Sequence, residues 1–276
     1  MLKANDMRGF LWPVLIVLFG GLAVGQKLQL STTSDSATYY YYEGWRQVMD
    51  EGDYTASEKA YRKMMGFDPD FIVGLSLLGR ITRDLEERQK IEQTLIGRRN
   101  EVSGDEQILL DNYTGLVTLT NLRETDPEKA KIQLEKVFES GEKNMRTIAH
   151  RYPDEIYYKA EYIEVLHRNH GPEVALDSLE ILLSEKQKRK PFLIGYAAHM
   201  EAEAGEFDKA LARAKILDRQ FKRTNSPKPY VVYSDIYFQM GKLTEAEQYV
   251  AKALARDPGN IDAQRLEKKI KERLGK

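Results

Sequence analysis

Between Pro227 and Asn260 the chain writes out one complete helix–turn–helix unit, and that unit restricts how every other segment can be arranged. Tyr230, Tyr233, Ser234 and Tyr237 recur at helical spacing, which puts them on one face of a first helix. Gly241 turns the chain. Ala246, Val250 and Ala253 then line the inner face of a second helix, where small side chains let two backbones approach. Pro258 ends that helix, because a proline ring cannot continue it. The small-residue marker repeats at Ala175, Ala210 and Ala246, a spacing slightly above roughly 34 residues. A unit of this kind cannot bury its apolar face alone, so the period predicts a stack of helix pairs sharing one continuous core.

The pattern Tyr230, Tyr233-Ser234, Tyr237, Gly241, Ala246, Val250, Ala253, Pro258 resembles the tetratricopeptide (TPR) family. The resemblance implies an all-α fold: a right-handed superhelix of antiparallel helix pairs, with a concave groove that takes up a protein or peptide. It fixes an architecture and names no partner.

The same frame extends along the chain. Thr38 to Phe71 aligns with Tyr41 and Trp45 in a first helix, Gly52-Asp53-Tyr54 at the turn, Ser57 and Tyr61 in a second, and Asp68-Pro69 closing the unit. Thr55-Ala-Ser-Glu58 and Thr244-Glu-Ala-Glu247 are capping-box patterns at one repeat position, three residues after the turn glycine. From residue 84 to 150 the pattern is strongly helical but irregular, without the small-residue face of a second repeat helix. Regularity returns with Tyr158, Tyr162 and Leu166, then Ala175 and Leu179, then Ala197, Ala198, Gly205, Ala210 and Ala214. Residues 261–276 carry a thin apolar stripe at Ala263, Leu266, Ile270 and Leu274, the pattern of a polar cap that ends an array. The repeat domain thus runs from 37 to 260.

Upstream, Lys3 and Arg8 precede an uncharged run from Phe10 to Gly25, the layout of an export signal or of one hydrophobic N-terminal helix kept as a single membrane anchor. Small residues at Ala23 and Gly25 suit cleavage before Gln26. Either outcome over residues 1–25 predicts a repeat domain outside the cytoplasm: periplasmic or secreted if cleaved, single-pass in the membrane if not. Residues 26–36 are polar and lack helical periodicity, so they read as a linker.

Lysine and arginine number 42 against 43 acidic residues, which removes the basic footprint of a nucleic-acid binder. The chain has no cysteine, so thiolate metal sites and cysteine nucleophiles are excluded. No phosphate loop, nucleophile elbow or HExxH pattern occurs, so neither an enzyme nor a cofactor is expected. His167 and His170, with Glu164 a turn earlier, could share a helical face and hold a metal; the helix end beside Gly171 accounts for His170 more simply, and no metal is expected.

In the tetratricopeptide frame the groove positions fall at Tyr39, Tyr42, Arg46 and Met49, then Tyr157, Glu164, His167 and Arg168, then Phe192 and His199, then Asp235, Phe238 and Gln239. Tyrosine and arginine there suit a peptide-binding surface, offering large contact area with a polar tip. The function this predicts is a scaffold for a protein or peptide partner, supporting assembly of a cell-envelope complex. The alternative is a helical-repeat enzyme or carbohydrate-binding protein, which would show a deep pocket with converging carboxylates within residues 84–150.

Overall fold

A computed structural model describes residues 27–276, and within them the chain is helical throughout. The apolar run to Gly25 lies outside the described residues; among those described, no helix is long and apolar enough to cross a membrane. Six helix pairs follow one another: α1 (Asp35–Trp45) with α2 (Tyr54–Phe67), α3 (Ile72–Ile81) with α4 (Leu85–Gly97), α5 (Gly104–Thr125) with α6 (Pro127–Arg151), and α7 (Ile156–His170) with α8 (Pro172–Leu182). After the single turn α9 (Glu185–Lys188) come α10 (Pro191–Glu203) with α11 (Phe207–Gln220) and α12 (Lys228–Gln239) with α13 (Leu243–Arg256). The last helix, α14 (Ile261–Leu274), buries Ala263, Leu266 and Ile270 against this final pair.

Close approach inside the pairs follows from the small residues. Ala246, Val250 and Ala253 of α13 are buried, and the Ser234 hydroxyl of α12 donates to the Ala246 carbonyl at 2.7 Å. In the first pair the roles exchange: Ser57 of α2 donates to the Gly44 carbonyl of α1 at 2.8 Å. The Tyr61 ring lies directly on Gly44, so that a β-carbon there would overlap it. The irregular middle resolves into α4 and the long hairpin of α5 and α6. Arg88 of α4 is buried, donating to the Thr82 carbonyl at 3.0 Å and to Asn121 at 2.6 Å, and pairing with Glu124.

The capping boxes expected at Thr55 and Thr244 do not form. Asp53 caps α2, accepting from the Ala56 N–H at 2.7 Å, earlier in the chain than the threonine pattern implied. Helix α13 begins at Leu243 without a side-chain cap, leaving Thr244 inside its first turn. Residues 28–32 do not stand clear as a linker. Leu28 is buried in the main core, Ser31 donates through its N–H and hydroxyl to Glu106 at 2.9 and 3.1 Å, and Thr32 donates to Asp68.

What most shapes the array is that its first pair touches its last. After Trp45 the helix winds into a π-helical turn, Arg46–Glu51, ending at Gly52 with φ +69°, a conformation glycine adopts without strain. This turn seats Asp50 between later repeats, where it accepts from the Tyr157 hydroxyl at 2.9 Å and the Phe192 N–H at 3.3 Å. Ser226 donates to the Glu51 carbonyl at 2.7 Å, and Asn260 to the Gly52 carbonyl at 2.6 Å. Asp257, 2% exposed, accepts from the Tyr54 N–H at 2.8 Å and the Thr55 hydroxyl at 2.6 Å.

Two substitutions test these contacts by urea unfolding followed by helical circular dichroism. Gly44→Ala should destabilise the chain by about 1–3 kcal/mol, the cost of overpacking a filled core. Asp257→Ala, which strands the Tyr54 N–H, should cost about 1–3 kcal/mol. An unchanged midpoint for Asp257→Ala would mean the first and last repeats are not held together in solution.

Candidate functional site

Because the first and last repeats meet, the first helices of successive pairs enclose a central space. Three adjoining cavities of about 530, 330 and 390 Å³ occupy it, and Glu164 of α7 lines all three. Arg80 of α3, Tyr196 of α10, Lys228 of α12 and Asp262 with Arg265 of α14 face this space from different repeats.

One wall is a buried ion pair. Arg80 Nη1 lies 2.7 Å from Glu161, with its guanidinium 5.3 Å from the Trp45 ring centroid and 4.7 Å from that of Tyr113. The second Glu161 oxygen accepts from the Tyr113 hydroxyl at 2.8 Å. Burial opposes the Arg80 charge, and the Glu161 carboxylate outweighs it, so the guanidinium pKa is raised. Glu164, one turn along α7, has no such partner among the described residues. Burial first, then the charge of Glu161, push its carboxyl up to about 8, against the opposing pull of Arg80 and Lys228. The cavity therefore presents a neutral carboxyl at neutral pH. Burial likewise pushes the Lys228 ammonium down, although Asp262, Asp50 and Glu164 favour its charge; it lies 4.8 Å from the Phe192 ring centroid.

A polar cluster closes the α7–α10–α12 side. His167 Nδ1 is 2.8 Å from the Tyr196 hydroxyl, and its Nε2 is 2.8 Å from Glu203. His199 Nδ1 is 2.6 Å from Asp235, whose carboxylate also accepts from Gln239 at 2.9 Å. Burial lowers the His167 pKa despite Glu203. For His199, burial works against the charge and the Asp235 carboxylate outweighs it, so that pKa is raised.

The groove positions taken from the repeat frame therefore separate into groups. Met49, Glu164, His167, Phe192, His199 and Asp235 line the central space, with Arg168 at its rim paired to Glu135. Gln239 sits behind them, bonded to His199 and Asp235. Tyr157 stacks on Trp45 and is engaged by Asp50; Tyr42 donates to Glu155 at 3.0 Å. Arg46 pairs with Glu43 and Glu51 at 2.8 Å, and Arg273 covers Phe238 at 4.2 Å. Tyr39 points outward, 62% exposed. His170 turns away from His167 to Glu142 at 2.9 Å, so the pair suggested by their spacing is not brought together. Converging carboxylates do occur, but on α7, α10, α12 and α14 rather than within residues 84–150, which contribute only Asn112, Leu116, Val137 and Phe138 to the wall. Arg80, Glu161, Tyr196, Glu203 and Lys228 were missed. Arg80 alone left a signal, as the one charged residue in the apolar stretch of α3.

Residues 227–260 match the family model for the tetratricopeptide repeat. Among solved structures, the crystal structure of TTC0263, a thermophilic TPR protein in Thermus thermophilus, is similar at 16% identity and a TM-score of 0.32, covering 85% of this chain and 98% of that one. No curated protein matches.

The raised Glu164 pKa has a measurable consequence. Folding lifts it from an ordinary 4.5 to about 8, so the folded chain binds a proton that the unfolded chain has released. The stability this proton contributes is complete below the unfolded value and is lost as pH rises through about 8. Thermal midpoints measured across that window should fall with rising pH more steeply in the wild type than in Glu164→Gln. Parallel curves would show that Glu164 is not held protonated.

Proposed function

We propose that this chain is a tetratricopeptide-repeat protein and a non-enzymatic scaffold that takes a short segment of a partner protein into its central cavity. The observation that carries this reading is convergence: Phe192, Tyr196, Lys228, Asp262 and Arg265, drawn from three helices, meet at one cavity of about 390 Å³. Aromatic rings with arginine beside them are the side chains that dominate protein recognition, because they combine large contact area with directed polar groups. Rings at Phe192 and Tyr196 stack at 5.6 Å and form a flat apolar wall. Arg265, with 58% of its side chain exposed and Asp262 no nearer than 4.0 Å, can turn to meet an acidic group on the partner. A cavity of this size holds a few side chains rather than a folded domain.

The apolar run before Gln26 supports a place in the cell envelope, with the repeat domain outside the cytoplasm. N-terminal sequencing of the mature protein is expected to begin at Gln26 if the run is a cleaved signal and at Met1 if it is an anchor. Recovery in the cytosolic fraction would overturn the export reading.

Partner binding is tested by affinity capture from the native host's envelope fraction. Wild-type protein and Tyr39→Ala should retain the same partner, whereas Lys228→Ala combined with Arg265→Glu should lose it while keeping the helical circular dichroism. The reverse pattern would move recognition to the outer tyrosine surface.

A further inference from the structure

We propose that His167, His199 and Glu203 form a binding site for a divalent transition metal ion, with zinc(II) as the natural occupant. Each offers one ligand atom, and the three atoms lie within 4.8 Å of one another. Glu203 Oε2 is 2.8 Å from His167 Nε2 and 3.7 Å from His199 Nε2. A zinc ion with bonds of about 2.1 Å holds its ligand atoms about 3.4 Å apart, so small side-chain adjustments close the shell.

What distinguishes this cluster from a chance meeting of polar groups is the far side of each ring. His199 Nδ1 is bound to Asp235 at 2.6 Å, and Gln239 holds that carboxylate in turn at 2.9 Å. His167 Nδ1 is bound to the Tyr196 hydroxyl at 2.8 Å. The acceptor-only Asp235 carboxylate selects the His199 tautomer whose Nε2 carries a lone pair, the arrangement that supports metal-bound histidines. The Tyr196 hydroxyl can donate or accept, and accepts from His167 Nδ1–H when Nε2 binds an ion. With an ion bound, both Nε2 atoms and the Glu203 carboxylate are directed at one small volume.

Two nitrogens and one carboxylate suit zinc, cobalt and nickel rather than magnesium or calcium, which prefer all-oxygen shells. Three protein ligands leave a coordination position open. The position faces the central space, since His167 and Glu203 line one of its cavities and His199 another. With 37% of the His199 side chain and 46% of that of Glu203 exposed, an ion has a path in. The site rests on none of the groups used to test partner binding, so the two readings stand or fall separately.

The test uses the full chain stripped with a chelator, titrated with zinc(II) by calorimetry and with cobalt(II) by visible absorption. One ion per chain is expected, with ligand-field bands for cobalt, and magnesium should not compete. Glu203→Gln and His199→Gln should each weaken zinc binding at least about 10-fold, and Asp235→Asn by about 10-fold through its hold on the ring. His170→Ala should leave binding unchanged. Glu203→Gln alters an accessible side chain and serves if His199→Gln fails to fold. Failure to saturate at one ion, or affinity indifferent to Glu203→Gln, would overturn the site and leave the cluster as a hydrogen-bonded network.

Discussion

The first two free N–H groups of α2 find their acceptor not in their own repeat but on Asp257, 203 residues beyond Tyr54. Helix N-termini carry unsatisfied donors and a partial positive charge, so a carboxylate set against one is both bonded and electrostatically favoured. Asp53 already caps this helix, and Asp257 adds a second acidic group beside it. Burial, with the added charge of Asp257, raises the Asp53 pKa, although its bond from the Ala56 N–H acts against that. The array tolerates this crowding because the same contact brings Asn260 onto the Gly52 carbonyl and Asp262 onto the Tyr54 hydroxyl at 2.7 Å. The residues that end the last repeat therefore begin the first one, and the central space exists because of them.

Once the ends meet, equivalent positions of successive repeats look at each other. His167, His199 and Asp235 lie on the first helices of three consecutive pairs, each about one repeat from the next. Stacking these helices turns a period in the sequence into a row of polar groups on one wall. Beside them stand residues that cannot be expressed as a period: Arg80 between two aromatic rings, and Lys228 over Phe192. The cavity lining thus mixes repeating positions with idiosyncratic ones.

How much of this was legible from the residues depends on the distance over which each feature acts. The pair at 227–260 could be read directly, because helix period, turn glycine and closing proline are all local signals. The groove frame also placed Glu164, His167, His199 and Asp235 together, since repeat equivalence carries over into three dimensions. His170, read as a helix-end residue and not as a metal partner of His167, turns its ring to Glu142 on α6. Tyr39 and Tyr42 did not share a surface, since Tyr42 is drawn to Glu155 at the start of α7 while Tyr39 faces solvent. Residues 28–32 looked like a linker by composition, yet Leu28 fills a gap in the core that no local pattern describes. The π-helical turn, which decides where Asp50 goes, follows from the seat it occupies and has no sequence signature of its own.

A stack of repeats ordinarily behaves as a one-dimensional chain of nearest neighbours: its ends fray first, and partly unfolded species with a few intact units persist. Here Asp50, Gly52 and Tyr54 bind the first unit to the fourth, fifth and sixth, so neither terminus of the array is a free end. Loss of one terminal pair exposes the seat of the other, and amide protection should be shared across both ends instead of declining toward them. Such contacts also join residues more than 200 positions apart, and their loop entropy must be overcome before they give anything back. The molecule thus exchanges the rapid, segment-by-segment assembly open to a linear array for slower folding with one shared threshold of disassembly.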